Sequence, residues 1–78
     1  EKQYRVVVQG RFPTGDGGME MDAPLDGRAA QTTARALGYN AGLDRSTLQV
    51  AIATGRNHQI RRHLSARGFA VVGDRLYG

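Results

Sequence analysis

The chain reads as an α+β fold: a mixed, mainly antiparallel sheet with one well-defined helix. Three observations predict it. Residues 3–9 and 47–53 alternate along the chain with the period of a strand, turn-forming residues interrupt the stretches between them, and the segment after residue 57 repeats its apolar side chains one helical turn apart.

Each element follows from its residues. Residues 3–9 put Tyr4, Val6 and Val8 on one parity and Arg5, Val7 and Gln9 on the other, β-branched through the middle, and Gly10 ends this strand. Residues 11–18 hold Pro13, Gly15, Asp16, Gly17 and Gly18, which neither helix nor strand accommodates, so this is a loop. Residues 19–22 form a short edge strand, followed by a turn around Pro24, Asp26 and Gly27. Residues 31–39 pull two ways, because Ala34, Ala36 and Leu37 favour helix while Thr32 and Thr33 favour strand; we take strand. In residues 47–53, Leu48, Val50 and Ile52 share one face and Gln49, Ala51 and Ala53 the other, the clearest strand of the chain. Past Thr54-Gly55-Arg56, Asn57 is placed to cap a helix running through Arg67. Ile60 and Leu64 form its buried stripe, Arg67 complements its dipole, and Gly68 stops it. A final apolar run, residues 69–72, makes a short strand before Gly73-Asp74.

Size and composition narrow the function. With 78 residues there is room for one small domain, and the absence of cysteine excludes a disulfide framework, a zinc ribbon and a thiol nucleophile. Only two histidines occur, five residues apart and without a carboxylate cluster, so no metal is expected. No apolar run approaches the roughly 20 residues that span a bilayer, and the opening Glu1-Lys2-Gln3 lacks the layout of a secretion signal, so no membrane contact is expected and a cytoplasmic location is. Charge is unevenly placed. Residues 1–44 carry a net of −1, whereas residues 45–78 hold six arginines against Asp74 alone, a net of +5. The second half is the side that would meet an anion, either RNA or, more plainly, solvent across a basic face.

The segment Thr54-Gly55-Arg56-Asn57-His58-Gln59-Ile60-Arg61-Arg62-His63-Leu64, followed nine residues later by Gly73-Asp74-Arg75-Leu76-Tyr77-Gly78, resembles the signature of the RluA-type RNA pseudouridine synthases. The opening Lys2-Gln3-Tyr4 through Gly10 is similar to that family's tyrosine strand, and Ala30-Gln31-Thr32 to its middle strand. The resemblance covers essentially the whole chain and implies the C-terminal portion of a pseudouridine synthase catalytic domain, cut at both ends. Members of the family isomerise uridine to pseudouridine in structured RNA, ribosomal or transfer, with no metal and no organic cofactor. Their essential aspartate lies in a His-Arg-Leu-Asp segment before the tyrosine strand. That segment is missing here, so this chain alone is expected to be inactive.

Residue by residue, the resemblance assigns Tyr4 to the tyrosine that lies against the target base and takes the C5 proton; read without it, Tyr4 is a core tyrosine of an alternating strand. It assigns Arg61 to the arginine that pairs with the catalytic aspartate, so that without the upstream segment Arg61 must face water or find another acid. Arg56 is either an RNA phosphate contact or a cation fixing the strand-to-helix turn. Arg62 adds RNA affinity or simply solvates the helix. His58 and Gln59 are expected in structural hydrogen bonds, His63 as a packed surface histidine, and Asp74 as a cap or partner within its own turn. The competing function is a basic RNA-binding module without catalysis. Whether the protein self-associates is open.

Overall fold

The computed structural model describes residues 1–15 and 17–77; Asp16 of the expected loop and Gly78, the last residue of the second motif, lie outside the described residues. Among the described residues four strands, β1 (Lys2–Gln9), β2 (Met19–Met21), β3 (Thr32–Asn40) and β4 (Arg45–Ile52), precede one helix, α1 (Gln59–Ala66). The strands lie in the order β1-β4-β3-β2, and every adjacent pair is antiparallel. The α+β reading with a mainly antiparallel sheet therefore describes the molecule.

Register explains which side chains are covered. Tyr4 lies opposite Val50 and Val50 opposite Ala34, so β1, β4 and β3 align their alternating residues on shared faces. One face presents Val8, Leu48, Val50, Ile52 and Ala34, which bury together with Phe12, Met21 and Leu64 of α1. Each large aliphatic side chain so buried contributes about 1.5–3 kcal/mol. The ambiguous stretch is a strand because central β4 offers it a partner along its length, and its small Ala34 fits under the fully buried neighbours Val50 and Leu48. Tertiary pairing here overrides the helix preference of alanine.

Two tight turns shape the helix end of the molecule. Leu25 and Arg28 exchange both backbone hydrogen bonds, at 2.9 and 3.0 Å, across Asp26 (φ 54°) and Gly27 (φ 73°). Paired positive φ values are the mark of a two-residue hairpin turn, which Asp-Gly adopts readily. At the other end of α1, Gly68 (φ 87°) donates to the Ser65 carbonyl and Phe69 to that of Leu64, the double bond pattern that ends a helix on a left-handed glycine. The expected stop at Gly68 is borne out, with Ala66 as the last helical residue.

The structure corrects two local expectations. Asn57 does not cap α1: His58 occupies that position with φ 51°, and no side-chain cap hydrogen bond is made. The cause is Gln59, whose backbone N–H donates to the Arg56 carbonyl at 3.1 Å while its Oε1 accepts from the Arg56 N–H at 3.0 Å. A closed turn over residues 56–59 thus does the work assigned to the cap. Residues 69–72 make one bridge, Val8 to Val71, rather than a full strand. Even so, Gln9 donates to Ala70 and Val72 to Val7, which covers part of the outer edge of β1.

Candidate active site

A groove of about 460 Å³ opens between β1 and the start of α1. Its lining comes from Lys2, Tyr4 and Val6 of β1, from Ile52 and Val71, and from the turn and first residues of α1, including Arg56, His58 and Arg61. Strand alternation places Tyr4 here: it shares the parity of Val6 and Val8, but stands two residues nearer the strand's start, where it remains 40% exposed. An exposed tyrosine and two arginines thus line one groove.

Arg61 is not solitary. Its Nε and Nη2 donate to the two carboxylate oxygens of Asp74 at 2.9 and 2.8 Å, and its Cζ sits 5.1 Å from the centre of the Tyr77 ring. Asp74 also accepts from the backbone N–H groups of Leu76 and Tyr77 through Oδ1, and its side chain is only 2% exposed. Arg61 beside it, with these two N–H groups, holds the Asp74 carboxyl far below the usual carboxylate range. The Tyr77 hydroxyl reaches Nδ1 of His58 at 3.0 Å, tying the second motif to the first. Of the two outcomes expected for an arginine without its upstream partner, the second is realised: Arg61 has found another acid. Asp74 does cap its own turn as expected, and it binds the helix as well.

A buried polar chain supports the Arg56 side of the groove. Gln59 accepts from Thr54 at 2.7 Å and donates to the Gln31 carbonyl and to Thr32 Oγ1 at 2.8 and 2.9 Å. The ring of His63 lies 2.7 Å from Thr32 Oγ1 through Nδ1 and 2.8 Å from the Ala23 carbonyl through Nε2. A carbonyl only accepts, so the proton belongs on Nε2, and Nδ1 accepts from the threonine hydroxyl. His63 is therefore not the packed surface histidine expected: it is 2% exposed, because this pair of partners lets an imidazole enter the core fully satisfied. The structural roles expected of Gln59 and His58 are both observed.

The other arginines divide. Arg56 lines the groove and donates from Nε to the Ala29 carbonyl at 2.7 Å, which fixes the strand-to-helix turn. Arg62 points elsewhere and forks onto Asp26 at 3.0 Å with both nitrogens; the guanidinium lowers the Asp26 pKa. The structure thus brings Tyr4, Arg56 and Arg61 to one groove and leaves Arg62 outside it. Asp74 and Tyr77 are the neighbours that the sequence did not connect to Arg61, although the motif containing them was in plain view.

Fold and groove define a class first. The fold matches that of human RNA pseudouridylate synthase domain containing 1 with a TM-score of 0.81 and 25% identity, over 97% of this chain and 40% of that one. The molecule thus shares part of the fold of that RNA pseudouridylate synthase domain. Residues 1–66 match the model of the RNA pseudouridylate synthase family. Among relatives, an uncharacterized RNA pseudouridine synthase of Synechocystis sp. is 41% identical over 88% of this chain and 23% of its own length. Another, of Chloroflexus aurantiacus, is 40% identical over 99% of this chain and 27% of its own. The ribosomal large subunit pseudouridine synthase D of Zymomonas mobilis is 30% identical over 99% and 28%. The chain belongs to the RNA pseudouridylate synthase family, as its resemblance to the RluA-type enzymes implied. It spans about a quarter of the length of these curated relatives.

Proposed function

We propose that the chain is the C-terminal portion of the catalytic domain of a cytoplasmic synthase that isomerises uridine to pseudouridine in structured ribosomal or transfer RNA. The observation that carries this reading is the groove that holds both Tyr4 and Arg61. In the reaction the bond between the ribose and N1 of uracil breaks, the base turns, and a new bond joins the ribose to C5, whose proton is then lost while N1 gains one. No atom enters or leaves. An enzyme for it must hold a base taken out of its stack, keep an ionised acid against the ribose, and provide a base for the C5 proton.

The groove supplies two of these needs. The exposed face of Tyr4 is shaped to stack an extruded uracil, a contact worth about 1–3 kcal/mol, and its hydroxyl is the base for C5. Arg61 keeps a neighbouring carboxylate charged in a partly dry cleft, since an opposite charge offsets the cost of desolvation. Arg56 meets the phosphate backbone at the mouth, and Arg62 adds general attraction for RNA where it can exchange Asp26 for a phosphate. On this reading the catalytic aspartate is supplied by a segment outside these 78 residues, and the chain alone is expected to be inactive.

The test is pseudouridine formation by the full-length protein on ribosomal and transfer RNA, read by mass spectrometry of digested RNA. Turnover by the full-length protein is expected, with none by the 78-residue chain, and Arg61→Ala in the full-length protein should abolish turnover while RNA still binds at low salt. Turnover surviving that change would overturn the role of Arg61. Turnover by the short chain would overturn the need for an external acid.

A further inference from the structure

A guanidinium has five N–H donors arranged along two usable edges. In Arg61, Nε and Nη2 both serve Asp74, and among the described residues Nη1 makes no hydrogen bond although Arg61 lines the groove. Asp74 is itself immobilised, since turning its carboxylate would break both bonds to Arg61 and both to the backbone of Leu76 and Tyr77. The Tyr77 ring lies over the guanidinium and is moored through its hydroxyl to His58. Asp74 and the Tyr77 ring, neither of which lines the groove, thus fix the plane and tilt of one side chain.

We propose that Asp74 is a positioning residue for catalysis: it occupies one edge of the Arg61 fork so that the Nη1 edge is held ready for a second carboxylate, the catalytic one, brought by another segment. The proposal rests on the reading of the groove as a synthase active site. On this view Asp74 and the catalytic acid do not compete. One arginine carries two carboxylates, the structural one on the Nε edge and the reactive one on the Nη1 edge, which suits a fork-shaped cation and would defeat a point charge such as lysine. A long side chain left free would have to be ordered in every catalytic cycle; clamped by Asp74, Arg61 awaits the reactive acid in place.

The decisive experiment measures kcat and KM for RNA in the full-length protein with Asp74→Asn, in wild-type and Arg61→Lys backgrounds. Asparagine is isosteric and can still accept from the Leu76 and Tyr77 backbone, so the turn survives while the charged fork is lost. The expected result is a fall in kcat of about 10²-fold with KM little changed, and a much smaller further loss in the Arg61→Lys background, because the residue Asp74 acts through is already altered. An unchanged kcat in folded Asp74→Asn protein, or the same factor in both backgrounds, would overturn the proposal. Should Asp74→Asn not fold, nitrogen NMR of the wild-type protein decides: an Arg61 Nε–H protected from exchange is expected, and a freely exchanging one would refute the clamp. Wild-type turnover, lost in Arg61→Ala but kept in Asp74→Asn, overturns this inference alone; absence of turnover in the wild type overturns the underlying reading and this inference with it.

Discussion

Arg61 and Arg62 are consecutive, chemically identical, and each forks onto a carboxylate, yet their surroundings differ completely. The acid of Arg61 is 2% exposed and caps a turn; that of Arg62 is 66% exposed and sits on a two-residue hairpin. Consecutive helix residues point about 100° apart, which sends one guanidinium to the groove and the other toward Asp26. Bond lengths alone, 2.8 against 3.0 Å, would rank the two pairs as near equals. The acid's enclosure separates them, since the arginines themselves are 36% and 23% exposed: a sealed, backbone-anchored carboxylate fixes its arginine in one place, whereas an exposed one trades freely with water and salt.

The largest expected effect comes from removing Gln59, the first residue of the helix that carries both arginines. Gln59→Ala would leave the half-buried Arg56 N–H and Thr54 hydroxyl without an acceptor and take one of two partners from the Gln31 carbonyl and from buried Thr32. Each orphaned group costs about 1–3 kcal/mol, so a loss of roughly 3 kcal/mol or more is expected. In a domain of this size that lowers the melting midpoint by about 12 °C or more, measured by thermal unfolding. A fall below about 4 °C would show that water replaces the amide and that the polar chain is not structural.

Next comes the contrast itself. Asp74→Asn should lower the melting midpoint by more than about 8 °C and Asp26→Asn by no more than about 4 °C. Equal shifts would break the comparison. The two should also differ in acid. Because Arg61 depresses the Asp74 pKa in the folded state, this group's contribution is complete above the unfolded carboxylate value of about 3.9 and fades as pH falls toward the depressed folded value. The stability gap between wild type and Asp74→Asn should therefore be flat from pH 7 to about 5 and close progressively below about 4. A gap that closes on raising the pH would contradict the sign of the linkage.

How much of this was legible beforehand depends on which residues speak locally. Alternation at residues 47–53 and the glycine after α1 announce strand and helix end without help from the rest of the chain. The groove residues Tyr4 and Arg61 were legible through the resemblance, since two motifs at a fixed separation mark them. What could not be read is partnership at long range. Nothing local says that His63 is sealed against Thr32 and Ala23, 31 and 40 residues away, or that Asp74 reaches back 13 residues to Arg61. A histidine near an apolar stripe looks like a surface residue until the hydroxyl that donates to it and the carbonyl that accepts from it are placed in space. The same holds for Asn57, whose capping chemistry is sound and whose place is taken by a turn that Gln59 closes from inside.

The smallest expected effect is also the most discriminating for the exposed pair. An ion pair open to solvent is weakened by mobile ions because the Debye length shrinks from about 10 Å at 0.1 M salt to about 3 Å at 1 M. Arg62 and Asp26 lie at the surface, so the few degrees separating wild type from Asp26→Asn should vanish in 1 M sodium chloride. Arg61 and Asp74 are shielded by the Tyr77 ring and by the turn that Asp74 caps, and their contact is directional hydrogen bonding as much as charge, so the gap between wild type and Asp74→Asn should persist. Persistence of both gaps would mean that Asp26 acts through the hairpin backbone rather than through Arg62. Loss of both would mean that the Asp74 pocket is open to ions, and the clamp on Arg61 with it.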